Sequence, residues 1–322
     1  MVARKALVSR RPLQELAPFF SCSLEELRES FNLKNSVASA NSSDVREILT
    51  RGGFSYPREV ISFQMLKGGV AKTTTAFFVG QRLAQYGARV LFVDLDQQAN
   101  LSYALGFENE SHPVWVDLIE GRKTIEDLLV PLDENIDLIP SNLNNSVLDR
   151  VLMRTQRNWA MCVKGPLQKV VNKYDFVLID LAPALSVINT AATVASSSVV
   201  LPVNPDKFSM IGLKKHMDEL GLTKTEFAAE FKTQILFTKF DAREKMSELY
   251  LKECLRNYED HLFETYIRSS TEVKNALELK KDIFASKLGI RNDFDDLALE
   301  ILNLRPGQLA LPGHAQREFF DA

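Results

Sequence analysis

From Val60 onwards, short apolar runs alternate with longer stretches of helical spacing. The strand-like runs fall at residues 60–65, 89–95, 136–140, 175–181, 198–203, 234–240 and 262–267. Most are continuous rather than alternating, as expected of strands covered on both faces of a parallel sheet. Strands separated by helices imply right-handed crossovers and a doubly wound α/β fold, a mostly parallel twisted sheet flanked by helices. Ligands of such sheets bind beyond the carboxyl ends of the strands.

Residues 1–59 do not follow this pattern and read as a small α-helical extension. Ser23-Leu-Glu-Glu26 is a capping box that opens a helix to about Phe31. A polar stretch at 35–43 separates it from a second helix at 44–51, which Gly52 and Gly53 stop. Two readings stay open: a helix-turn-helix that binds DNA, or a helical cap that packs on the main domain or widens its interface. The main domain spans 60–304, and residues 305–322, with two prolines and two glycines, form an extended tail.

The phosphate chemistry sits at the first strand of the main domain. Residues 61–75 pass from an apolar run through Lys67-Gly68-Gly69-Val70-Ala71-Lys72-Thr73-Thr74 into a helix-forming segment. Adjacent glycines let backbone N–H groups turn inward onto phosphate oxygens, and the helix start adds its positive end. Lys72 supplies a charge for the β- and γ-phosphates and Thr73 a hydroxyl for Mg²⁺. The strict G-x-x-x-x-G-K-[ST] pattern fails, because Leu66 and Ala71 occupy both outer glycine positions. The pattern present is x-K-G-G-x-x-K-[ST], the deviant Walker A motif with its second lysine, Lys67. Two further strand ends carry acids. Asp94 and Asp96 close the run at 89–95 and point to one side, where an acid can order the attacking water or water bound to Mg²⁺. Asp180 ends the run at 175–181 in the Walker B manner and suits a cation held opposite Thr73.

On these motifs the chain resembles the ParA/MinD family of P-loop ATPases, and the ParA (Soj-like) DNA-partition ATPases most of all, from about Val60 to Leu304. The resemblance implies ATP and Mg²⁺ as cofactors and a face-to-face dimer with ATP between the subunits. Lys67 would reach the partner's nucleotide, and Asp96, in the place of the second acid of D-x-D-P-Q, would align the hydrolytic water. The chain departs from the family pattern at Gln97, where Pro is usual, and at Ala182, where D-x-P-P has its first proline. Phe240 and Asp241 fall in the segment that contacts adenine and ribose, and residues 202–208 on the nucleotide or dimer face. The family also implies non-specific DNA binding, a ParB-like partner that stimulates slow hydrolysis, and work on plasmid or chromosome segregation. Its members are cytoplasmic and nucleoid-associated when ATP-bound. Two other functions fit the same motifs: a nucleotide-gated repressor that reads DNA through residues 1–59, and an ATPase that positions a protein cargo.

Charge limits the DNA reading. The 322 residues carry a net charge of −3, so any DNA contact needs a local patch. Arg243, Lys245, Lys274, Lys280, Lys281 and Lys287 are its candidates, although Glu272 stands at an expected basic position. Three scattered cysteines argue against a disulfide framework, and four histidines show no ligand spacing. No signal peptide and no run near 18 apolar residues is present. The amphipathic stretch at 293–304 has an acidic polar face, unsuited to anionic lipid, which leaves no membrane partner.

Overall fold

The structure, a computed structural model, describes residues 7–154, 158–278, 283–285 and 289–312. Its main sheet contains β3 (Glu59–Phe63), β4 (Val90–Asp94), β5 (Val130–Asp133), β6 (Ile136–Ile139), β7 (Phe176–Asp180), β8 (Ser198–Val203) and β9 (Lys232–Phe237). A two-stranded antiparallel pair, β1 (Arg11–Pro12) and β2 (Ser39–Ala40), precedes them. The order across the main sheet is β5-β6-β4-β7-β3-β8-β9, parallel except for the hairpin partner β5. β4, β7 and β8 are buried along their whole length, which is why their sequences show no alternation. With β7 between β3 and β4, register sets Asp180 beside Phe63 on one side and Asp94 on the other.

Two parts of the sheet differ from the sequence pattern. Val130–Asp133 forms an edge strand that its short, proline-containing sequence did not announce. The run at 262–267 is not a continuous strand: Leu262 makes an isolated bridge to Ile235, Phe263 N–H donates to Ile235 O and Ile267 N–H to Phe237 O, and a second isolated bridge, Arg268 to Phe240, falls just past it. The Glu300 carboxylate accepts from the N–H groups of Glu264 (2.8 Å) and Thr265 (3.1 Å), which takes them from any ladder with β9.

The two expected helices of the extension are present as Leu24–Ser30 and Ser42–Arg51, each opened by a reciprocal capping box, Ser23 with Glu26 and Asn41 with Asp44. The connection between them runs from Phe31 to Asn41 and includes β2, unlike the three- to four-residue turn of a helix-turn-helix. Val45, Ile48 and Leu49 face inward and share one core with Phe77 and Phe78 of the helix Lys72–Gln85 and with Phe294 of the helix Ile290–Leu302. Arg46 pins this region to the start of β7, donating to Asp175 at 2.6 Å. Residues 305–312 lie against the same region, with Gly307 N–H donating to Pro18 O and Leu309 N–H to Phe19 O. Residues 7–59 therefore lie at the end of the sheet opposite the phosphate loop.

Candidate functional site

The phosphate loop joins β3 to the helix Lys72–Gln85. Gly69 has φ +75°, and a Cβ added at Gly68 or Gly69 would meet nothing within 4 Å, so both glycines border open space. Ala71, next to the first turn of the helix, adopts a left-handed conformation at φ 70°. A side chain there is strained by about 1–2 kcal/mol, a strain that the glycine of the strict motif avoids. Its carbonyl accepts from both Thr75 N–H and Thr75 Oγ1, which holds the bend in place.

Lys72 is buried at 7% exposure and faces Asp180 and Asp96. Burial lowers its pKa, and the two carboxylates act in the opposite direction. Thr73 Oγ1 donates to Asp180 Oδ2 at 2.6 Å, while Asp180 Oδ1 is buried without a hydrogen-bond partner. Burial, reinforced by the nearby Asp94 charge, holds the Asp180 carboxyl well above its ordinary range. A bound cation removes that penalty. Among the described residues no group of three or more His, Cys, Asp or Glu side chains forms a metal cage. A cation here would have to draw on the Thr73 hydroxyl, Asp180 and the ligand's own oxygens, the arrangement Mg²⁺ prefers with phosphates.

Asp94 and Asp96 separate in role. Asp94 accepts from Asp96 N–H (3.1 Å), Ser102 N–H (2.9 Å) and Ser102 Oγ (2.8 Å), and burial pushes its pKa up to about 7. Its carboxylate anchors the loop that presents Asp96, in the turn where Gln97 replaces the family's proline. Asp96 accepts from Gln98 N–H and remains one of the two acids facing Lys72.

Lys67 points away from the cradle. Its Nζ donates to Asp206 Oδ2 at 2.6 Å and to Ser209 Oγ at 3.1 Å, at the start of the helix Lys207–Phe227. Burial would raise the Asp206 pKa, but hydrogen bonds from Lys67 and Ser209 outweigh it and hold it low. In the segment expected to line the dimer face, Pro202 is buried within β8 and Phe208 is 75% exposed.

The contacts after β9 differ from the sequence reading. Thr238 Oγ1 lies within hydrogen-bond distance of both Val70 O and Asn204 Oδ1, with one proton to share between them, and Lys239 Nζ donates to Gly69 O at 2.7 Å. Thr238, Lys239 and Asn204 thus brace the phosphate loop, and nothing in their sequence spacing marks them. Phe240, a candidate for adenine, is 7% exposed and packs on Tyr266 with ring centroids 4.7 Å apart. Asp241 is engaged by Arg243 at 2.6 Å, whose hydrogen bonds lower its pKa to about 2.

The same ion pair occupies the first residue of the expected DNA patch. Arg243 is exposed, as is Lys245 at the start of the helix Lys245–Tyr258. The Lys274 side chain, Lys280, Lys281 and Lys287 lie outside the described residues. Among the described residues no helix is long and apolar enough to cross a membrane.

Comparison with known proteins agrees with this geometry. A family profile described as an AAA domain matches residues 58–233. The chain is 29% identical over 221 residues to the sporulation initiation inhibitor protein Soj of Bacillus subtilis, covering 68% of this chain and 87% of Soj. It is 28% identical over 232 residues to the chromosome partitioning protein ParA of Caulobacter vibrioides, covering 70% and 86%. Among solved structures, the Cyanothece McdA(D38A)–ATP complex superposes with a TM-score of 0.70 at 25% identity, covering 78% of this chain and 98% of that one. With the AAA-domain profile matching more than half of its length and a Walker-type site at the expected strand ends, the chain belongs to the ParA/MinD family of P-loop ATPases and is an ATPase.

Proposed function

We propose that ATP closes two copies of this protein face to face, that the ATP dimer binds duplex DNA without reading sequence, and that a ParB-like partner stimulates slow hydrolysis to segregate plasmid or chromosome DNA. ATP and Mg²⁺ are its cofactors. Mg²⁺ would neutralise charge on the phosphates and orient them for in-line attack. Lys72 and the backbone of Gly68–Thr74 hold the phosphates, Thr73 and Asp180 hold the cation, and Asp96, fixed by the Asp94 anchor, positions the attacking water.

The observation that carries the dimer reading is the place of Lys67. It is about one-third exposed (32%) and is held by Asp206 rather than by its own phosphate cradle. To reach a partner's nucleotide it must leave Asp206, so the ion pair is a latch that ATP-driven closure exchanges for a contact in trans. Phe208, beside Asp206, offers apolar surface for a second copy to cover. The relatives named above, a chromosome partitioning protein among them, support the partition role.

The test is binding to random-sequence duplex DNA with ATP, ADP or no nucleotide across a salt series. Binding with ATP alone, weakened steeply by salt and lost in Lys67→Ala, is the expected result. Binding that ignores nucleotide, or its absence in every state, overturns the DNA step. One observation favours a second reading, a protein cargo. Arg243 is already paired, and the helix beginning at Lys245 exposes Met246, Leu249 and Leu255 among its basic residues. A failure to bind DNA, with an ATP-dependent dimer still formed, would favour that reading. Residues 1–59 as a sequence-specific reader would show instead as binding to one operator and not to random duplex.

A further inference from the structure

The segment between Asp180 and the helix Val187–Ala195 runs partly over the surface. Pro183, Ala184 and Leu185 are exposed, and Ala182 replaces a residue that would have stiffened the turn. Two of its carbonyls are gripped by one side chain. Asn189 Nδ2 donates to Ala182 O at 2.9 Å and to Ala184 O at 2.7 Å. Asn189 is itself 4% exposed and sits in the first turn of the helix, where a side chain leans back towards the helix start.

The grip continues downward. One turn along the same face, Thr193 Oγ1 donates to Asn189 O at 3.0 Å and accepts from Gln64 Nε2, also at 3.0 Å. Gln64 directly follows β3, where the phosphate loop begins, and its Oε1 lies 3.3 Å from His216 Nε2. A buried polar chain therefore ties the loop behind Asp180 to the base of the phosphate loop through one helix.

We propose that Asn189 is a positioning residue for hydrolysis, clamping the Ala182–Ala184 turn so that Asp180 stays aligned with Thr73 and Lys72. This rests on the ATPase assignment. It touches neither the glycine cradle nor Lys72, so loss of the clamp should spare ATP binding and slow the chemical step. Misplacement of a reacting group by about 1 Å costs on the order of 100-fold in rate, and a loosened rather than lost turn should cost about 10-fold.

The experiment measures single-turnover ATP hydrolysis and fluorescent-ATP affinity in parallel on the full chain. It compares wild type, Asn189→Ala, Asn189→Asp and Thr193→Val. Asn189→Asp keeps the shape but cannot donate to either carbonyl. The expected result is a hydrolysis rate reduced about 10-fold in both Asn189 variants with nucleotide affinity within about twofold, and a smaller loss in Thr193→Val, which cuts only the tie to Gln64. Unchanged rates in Asn189→Asp overturn the proposal. So does a parallel loss of rate and affinity, or failure of both Asn189 variants to fold, since either makes the clamp a folding element. Wild-type protein that bound but did not hydrolyse ATP would count against the ATPase assignment and take the proposal with it.

Discussion

Strand β7 has a buried acid just before it and another at its end, and the two meet opposite fates. Asp175 precedes the strand at 3% exposure and is enclosed by its own chain: Arg46 donates at 2.6 and 3.2 Å, and Arg89 N–H at 2.7 Å. Burial alone would raise its pKa, but the Arg46 and Arg89 hydrogen bonds outweigh burial and lower it. Asp180 has one hydroxyl partner, an orphaned oxygen and a neighbouring acid, and its pKa is driven upward. A buried carboxylate saturated by arginines is complete and holds the extension to the sheet. One left short of positive charge carries a penalty that a proton or a bound cation removes. The comparison separates a structural end of the sheet from a functional end by charge balance alone.

The contrast can be broken from either side. Asp180→Asn should reduce ATP hydrolysis by about 100-fold or more, yet leave nucleotide-free thermal stability unchanged or higher, because an unbalanced buried charge has gone. Asp175→Ala should do the reverse. Removing one partner of a buried pair costs about 3 kcal/mol or more, read as a lower denaturation midpoint, while the rate per folded molecule stays near wild type. If Asp180→Asn destabilised the protein as much as Asp175→Ala, the distinction would fail.

At the base of the phosphate loop, against Gln64, lies His216, whose pKa burial, helped by the Lys72 charge, lowers to about 4. The folded state thus prefers the neutral ring and binds fewer protons than the unfolded chain. His216 costs nothing above pH about 6.5, and as pH falls from there to about 4 the protein should lose up to about 1.4 kcal/mol per pH unit. Denaturant titrations from pH 7 to 4 should show a shallower slope in His216→Gln; an equal slope would mean the ring does not titrate this way. The smallest expected effect is at Ala71. Ala71→Gly should relieve its left-handed strain and stabilise the protein by about 1 kcal/mol, and a loss of stability would show that the strain estimate is wrong.

The sequence by itself determined the parallel strands from β3 to β9 and pointed to the chemistry proposed at their carboxyl ends. Continuous apolar runs made buried strands unavoidable, and Gly68, Gly69, Lys72, Thr73, Asp96 and Asp180 carry their meaning in residue type and spacing, since few other contexts put those groups after strands. The run at 262–267 misled because periodicity reports burial and not who takes the backbone hydrogen bonds: Glu300, far along the chain, takes those of Glu264 and Thr265 from the middle of the run. The place of residues 7–59 also needed the tertiary structure: capping boxes gave the helices, but only packing showed that their apolar faces meet the helix behind the phosphate loop. The same holds for Lys67 on Asp206, Asp94 beneath Asp96 and Asn189 on the turn after Asp180. These partners are 139, 2 and 5 to 7 residues apart in sequence. Neither separation nor residue type reveals them, because a polar side chain finds its partner in space, and the fold decides which partner is there.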